Sequence, residues 1–210
     1  MLSSYYTVKG YGEHEIVIQK SRFIAYVNRV VSAEEAAVFI AQIKKKHSDA
    51  NHNCSAYMIG EQDLIQKAND DGEPSGTAGV PMLEVLKKRH LKDTVVVITR
   101  YFGGIKLGAG GLIRAYGSAA SEGINTAGVV ERSLAQIYQT SMDYTLLGKV
   151  ENELRGSEFE IKKIHYLDRV TIETYVKDGD EDRFEGWLTD LTSGQCEFEK
   201  GEQVYLETDV

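Results

Sequence analysis

The sequence predicts an α+β protein of two consecutive domains. Two observations predict it. Strand-like and helix-like stretches alternate through residues 1–131. The pattern then restarts near residue 132 and runs strand, helix, strand, strand, helix, strand. That βαββαβ order, over about 75 residues, suits a ferredoxin-like sandwich. The expected domains are therefore 1–131 and 132–210 of the 210 residues.

Each element has its own signal. Phe23, Ala25 and Val27 alternate with Ile24, Tyr26 and Asn28, which predicts a strand. Ser32 and Glu35 have capping-box spacing at the start of a helix, and Ala36, Phe39, Ile40 and Ile43 share one face of it. Lys44, Lys45 and Lys46 end that helix, where cations suit the dipole. Cys54, Ala56 and Met58 mark another strand, and Leu64 to Ala68 a short one. The stretch NDDGEPSGTAGVP, Asn69 to Pro81, holds both prolines and reads as a loop. Pro81 fits the first turn of a helix carrying Met82, Leu83, Val85 and Leu86 and ending at Lys87, Lys88 and Arg89.

The run TVVVIT, Thr94 to Thr99, predicts a strand buried on both faces. A helix follows from about Gly110, with Leu112, Tyr116, Ala119, Ala120, Gly123 and Ala127 as its buried stripe and Gly128 as its end. The second domain shows a strand at Ile137 to Tyr144 and a helix at Thr145 to Leu154. Phe159 to Tyr166 and Val170 to Val176 read as paired strands. Phe184, Trp187, Leu188 and Leu191 mark the second helix, and Cys196 to Glu207 a closing strand.

Composition excludes several classes. Apolar residues make up 42% and charged residues 27%, as in soluble globular proteins. No apolar run is long enough to span a membrane. The N-terminal stretch lacks the features of a secretory signal. Two cysteines, Cys54 and Cys196, make neither a disulfide framework nor a zinc pattern. A cytoplasmic setting is expected. Net charge is −8, yet residues 1–130 carry 15 Lys/Arg against 13 Asp/Glu, and residues 131–210 carry 9 against 19. The acidic total argues against broad nucleic-acid binding and leaves room for a local basic face on the first half.

The chemistry concentrates in RYFGGIKLGAGGLIRAY, Arg100 to Tyr116. A strand, a glycine-rich turn and a helix start place backbone N–H groups where an anion binds. Arg100, Tyr101, Gly103, Gly104, Lys106, Gly110, Gly111 and Arg114 form the expected nucleic-acid or anion-binding set. Standard nucleotide fingerprints are absent: Lys106 lacks the P-loop context, and Ile113 stands where a dinucleotide turn needs glycine. The bland alternative is that the glycines serve only turn geometry. Asp70, Asp71, Glu73, Ser75 and Thr77 form an expected partner-recognition loop, with no metal predicted there because the calcium-loop spacing is incomplete. His52 and Cys54 share a strand face, but such neighbours seldom align as a nucleophile pair. No catalytic set and no cofactor are predicted.

These motifs carry a resemblance. NDDGEPSGTAGVP, RYFGGIKLGAGGLIRAY and the upstream HNCSAYMIG resemble the IMPACT/YigZ family over roughly residues 15–128. The remainder resembles the small C-terminal domain of its bacterial members. The resemblance implies that the first domain is similar to the second domain of a small-subunit ribosomal protein, a fold shared with GHMP kinases and domain IV of elongation factor G. The second domain would resemble domains III and V of that factor. Eukaryotic members are translational regulators that compete for the activator of a starvation-responsive kinase. The implied function is translation-associated regulation or binding to RNA, the ribosome or a translation-related protein. Two alternatives stay open: an enzyme acting on a phosphorylated substrate, and a protein–protein adaptor whose acidic second domain meets a basic partner.

Overall fold

The strand β6 (Thr94–Tyr101) is the centre of the first sheet because all but its last residue are buried. The computed structural model describes residues 1–210. β6 lies between β3 (Ser21–Arg29) and β4 (His52–Ile59). The sheet is completed by β2 (Gly12–Ile18) and β5 (Ile65–Asn69), in the order β2-β3-β6-β4-β5. Every neighbouring pair is antiparallel.

Both faces of this sheet are covered. Alternate residues of a strand point to opposite sides, so β3 sends Ile24 and Tyr26 one way and Phe23, Ala25 and Val27 the other. The first set, with Val95 and Val97, packs against Ala36, Phe39 and Ile43 of α1 (Ala33–Lys46). The second set, with Cys54, Val96 and Ile98, packs against α2 (Gly79–Lys88) and α3 (Gly108–Ala127) through Met82, Leu86, Leu112, Tyr116 and Ile124. Ser32 caps α1 by accepting from the Glu35 amide at 3.1 Å. The Glu35 carboxylate reaches back to the Val31 amide, one residue beyond the standard box. The small stripe of α3 allows close approach to the sheet: a Cβ on Gly123 would sit 2.7 Å from that of Ala25.

The second sheet is built from β7 (Val129–Met142), β8 (Glu160–Tyr166), β9 (Val170–Lys177) and β10 (Cys196–Asp209), with β1 (Ser4–Val8) at one edge. Its order is β1-β7-β9-β8, and β10 also pairs with β7. Two helices, α4 (Tyr144–Arg155) and α5 (Glu181–Thr192), supply Val150, Leu154, Phe184 and Leu188 to a core with Tyr138, Met142, Val170 and Ile172.

The chain divides into two compact units, Tyr5–Glu131 with Thr208–Val210, and Arg132–Glu207 with Met1–Ser4. Each unit therefore takes in a few residues from the far end of the chain. Two strands, β1 and β2, lie outside the predicted elements. In β2 only alternate residues are sheltered and Glu13 and Glu15 face outward, which is the pattern of an edge strand. β7 begins eight residues before its predicted start, at Val129 rather than Ile137. The polar run Glu131, Arg132, Ser133 hides its first half. It also ends earlier than predicted, because Asp143 caps α4 by accepting from the Thr145 amide at 3.0 Å.

Candidate functional site

The loop from Asn69 to Ala78 is wrapped around its own acids. Asp70 accepts from the amides of Gly76 and Gly79, both at 2.8 Å, and of Ala78 at 3.1 Å. Burial alone raises the Asp70 carboxyl pKa, but these three N–H donors outweigh it and hold the group below its usual range. Asp71 pairs with Lys44 at 2.5 Å and accepts from the Asn53 amide at 2.7 Å. It too is held low, with Lys44 and Asn53 outweighing burial.

Glu73 turns inward. Its Oε1 accepts from Arg100 Nη1 at 2.6 Å and from the Tyr116 hydroxyl at 2.7 Å. The Glu73 and Arg100 side chains are only 3% and 6% exposed. A charge so placed needs a partner, and each supplies the other's. Tyr116 in turn takes a weak hydrogen bond from Cys54 at 3.3 Å, while Cys54 also reaches the Asp70 carbonyl at 3.0 Å. Burial pushes the Cys54 thiol up to about 12. It is a structural thiol, so no Cys54–His52 nucleophile pair forms.

His52 lies opposite Arg100 in the β4–β6 register. Its Nδ1 is 2.9 Å from the Asp71 carbonyl, which can only accept, so the proton sits on Nδ1. Its Nε2 lies 3.8 Å from Glu73 Oε2.

The glycine-rich turn docks on this cluster. Gly103 donates to Ser21 Oγ at 3.1 Å. A Cβ there would fall 2.0 Å from the Lys20 carbonyl carbon, so no larger residue fits. The amide of Phe102 donates to Asn51 at 2.8 Å. Gly108 opens α3 with φ of 70°, a conformation that suits glycine. The preceding cap residue, Leu107, offers no side-chain hydrogen bond to the helix start. Gly108, Ala109 and Gly110 are exposed. Their amides therefore open to water. Lys106 and Arg114 are also exposed and form no ion pair.

Between the loop and the helix start lies a cleft of 380 Å³. Asn51, His52, Glu73 and Arg100 line one part, and Phe102, Lys106 and Gly108 another. Pro74, Leu107, Ala109 and Leu112 supply further apolar wall.

Sequence comparison assigns the parts that carry this cleft. Residues 19–124 match the Impact N-terminal domain. The chain belongs to the IMPACT family. Residues 140–195 match a domain of unknown function, DUF1949. The chain is 65% identical over 207 residues to the IMPACT family member YvyE of Bacillus subtilis, covering 99% of this chain and 95% of that protein. It is 34% identical over 152 residues to YigZ of Escherichia coli, covering 68% of this chain and 74% of that one. A crystal structure described as a hypothetical protein is 28% identical, with a TM-score of 0.61 over 96% of this chain and 99% of that one.

In this IMPACT-family chain the two motifs predicted from sequence meet at one cleft. Several of their residues take other places than expected. Arg100 is no free cation for a phosphate: Glu73 neutralises it. Tyr101 points to the α1 side, where His47 and Asp49 bind its hydroxyl, and so lies away from the glycine turn. Glu73 and Thr77 are buried, and Asp70 and Asp71 are held by internal partners. Of the five residues of the predicted recognition loop, Ser75 alone is exposed. Gly104 is an exposed turn residue with φ of 85°. Lys106, Gly110, Gly111 and Arg114 remain at or near the open helix start. Ser21, Asn51 and His52 belong to the site and were not predicted there. The pairing of β3 and β4 with β6 brings them in; the motif HNCSAYMIG holds His52, but its sequence does not reveal that it faces the cleft. No three His, Cys, Asp or Glu converge to hold a metal ion.

Proposed function

We propose that this IMPACT-family chain is a translation-associated RNA-binding protein that meets ribosomal RNA through the start of α3. The observation that carries the reading is an uncapped, exposed helix start with two unpaired cations, Lys106 and Arg114, beside it. Such a start attracts phosphate through its free N–H groups and its dipole. Phe102, Ile105 and Ile113 stand exposed around it, at 45%, 42% and 44%. An exposed ring next to cations suits single-stranded RNA, whose bases stack on aromatic faces. Buried Tyr116 and outward-turned Tyr101 take no part in that stacking.

The finer fold reading supports the same direction. The strand order β8-β9-β7-β10, with two helices in the same core, supports reading the second unit as a ferredoxin-like sandwich. The first unit is read as similar to the second domain of a small-subunit ribosomal protein. The family's eukaryotic members are translational regulators, which favours a partner in translation. A cytoplasmic location follows from that partner. No helix is long and apolar enough to cross a membrane.

The test is fluorescence anisotropy with short ribosomal RNA fragments across a salt series. Each phosphate contact on single-stranded RNA contributes about −0.7 to the slope of log K against log salt. The double variant Lys106→Ala/Arg114→Ala is expected to reduce the slope by about 1.4 and weaken binding at low salt. Binding that is unaffected by both substitutions overturns the reading.

A further inference from the structure

The cleft holds a cluster of charged groups that RNA binding alone does not use. His52 Nδ1 donates to the Asp71 carbonyl at 2.9 Å, which fixes the orientation of the imidazole. Asp71 presents that carbonyl from a left-handed backbone, with φ of 45°, a conformation that is costly for a residue with a Cβ and that gathers at functional sites. The other ring nitrogen, Nε2, lies 3.8 Å from Glu73 Oε2. The His52 side chain is 24% exposed and so reaches solvent, whereas the carboxylate beside it is 3% exposed. Glu73 already holds Arg100, whose buried Nε has no hydrogen-bond partner. A buried ion pair is a weak source of stability. An oriented imidazole next to a carboxylate is, by contrast, the arrangement of a general base. His52, Glu73, Arg100 and Lys106 all line the one cleft, whose 380 Å³ lies at the small end of ligand pockets.

We propose that the cleft cleaves the RNA it binds, by transesterification at a ribose 2′-hydroxyl. His52 Nε2 takes the proton of that hydroxyl. The 2′-oxygen bonds to the adjacent phosphorus, and the bond from phosphorus to the 5′-oxygen breaks. The 5′-oxygen leaves with a proton from the Lys106 ammonium. Water then takes the proton from His52 and returns one to Lys106. The products are a 2′,3′-cyclic phosphate and a 5′-hydroxyl. Before the step, Glu73 neutralises Arg100. Once His52 is an imidazolium, one carboxylate faces two cations. The surplus positive charge therefore arises as negative charge builds on the phosphate, which favours the transition state over bound RNA. The proposal rests on the RNA reading above and adds a reaction at the same place.

The test incubates the full chain, in excess, with a short end-labelled single-stranded RNA and, separately, with its all-2′-deoxy twin. The RNA is expected to be cut to 2′,3′-cyclic phosphate and 5′-hydroxyl ends, identified by mass spectrometry, and the deoxy twin to stay whole. His52→Ala, purified in the same way, is expected to cut at least about a hundredfold more slowly, the contribution of one general base, while its RNA binding keeps the salt slope. Lys106→Ala is expected to slow cutting and weaken binding together. RNA that binds with the expected salt slope but stays whole overturns the cleavage and leaves the RNA reading standing. Cutting that persists in His52→Ala, that leaves 5′-phosphate ends or that extends to the deoxy twin overturns it too. RNA that is neither bound nor cut overturns both.

Discussion

Glu73 and Arg100 show how far a single residue's role can lie from its sequence context. Glu73 sits in an acidic, turn-rich loop, and Arg100 beside glycines and a lysine. Local composition makes one a surface acid and the other a surface cation. They pair because the β4–β6 register and the inward loop bring together residues 27 positions apart. No local pattern encodes that distance. Arg100→Ala leaves a buried carboxylate unpaired and is expected to cost about 3–5 kcal/mol in chemical denaturation. Unchanged stability would show that the pair is solvated. Asp70 gives a pH prediction. Its folded pKa lies below its unfolded value near 3.8, so its contribution is complete above that value and disappears as pH falls through the folded pKa. Melting temperature should drop below about pH 4, and Asp70→Asn should flatten that acid limb while lowering stability at neutral pH.

At the scale of elements, the sequence is most legible where one element carries its whole signal. The serine cap of α1, the β-branched run of β6 and the small stripe of α3 are complete in local sequence, and each lies where it is read. Ser32→Ala should destabilise the protein by about 1 kcal/mol in urea unfolding, through loss of the bond to the Glu35 amide. Elements that depend on a partner are less legible. β2 is a strand because β3 offers it a register, and its outward glutamates look like loop residues without that neighbour. The glycine turn is legible in part. Its need for small residues is evident, but the reason at Gly103, contact with the Lys20 backbone, follows from the fold. Gly103→Ala must push that backbone aside and should disorder the turn, seen as faster amide exchange at Phe102 and Gly104.

For the whole molecule, charge and architecture divide the work. The first 130 residues are nearly neutral with unpaired cations at one helix start, whereas the remaining 80 are strongly acidic. A polyanion such as RNA is drawn to the first unit and repelled by the second. Family membership covers both units, since the 65% identity to the IMPACT family member YvyE extends over 207 residues. The account therefore places RNA contact wholly within the unit that holds α3. Its most direct test is a backbone-amide NMR titration of the full chain with a short single-stranded RNA at low salt. The account predicts shifts centred on Lys106 to Arg114 that fade as salt rises, with little change across Arg132 to Glu207. Shifts confined to the second unit, or none at saturating RNA, would contradict it.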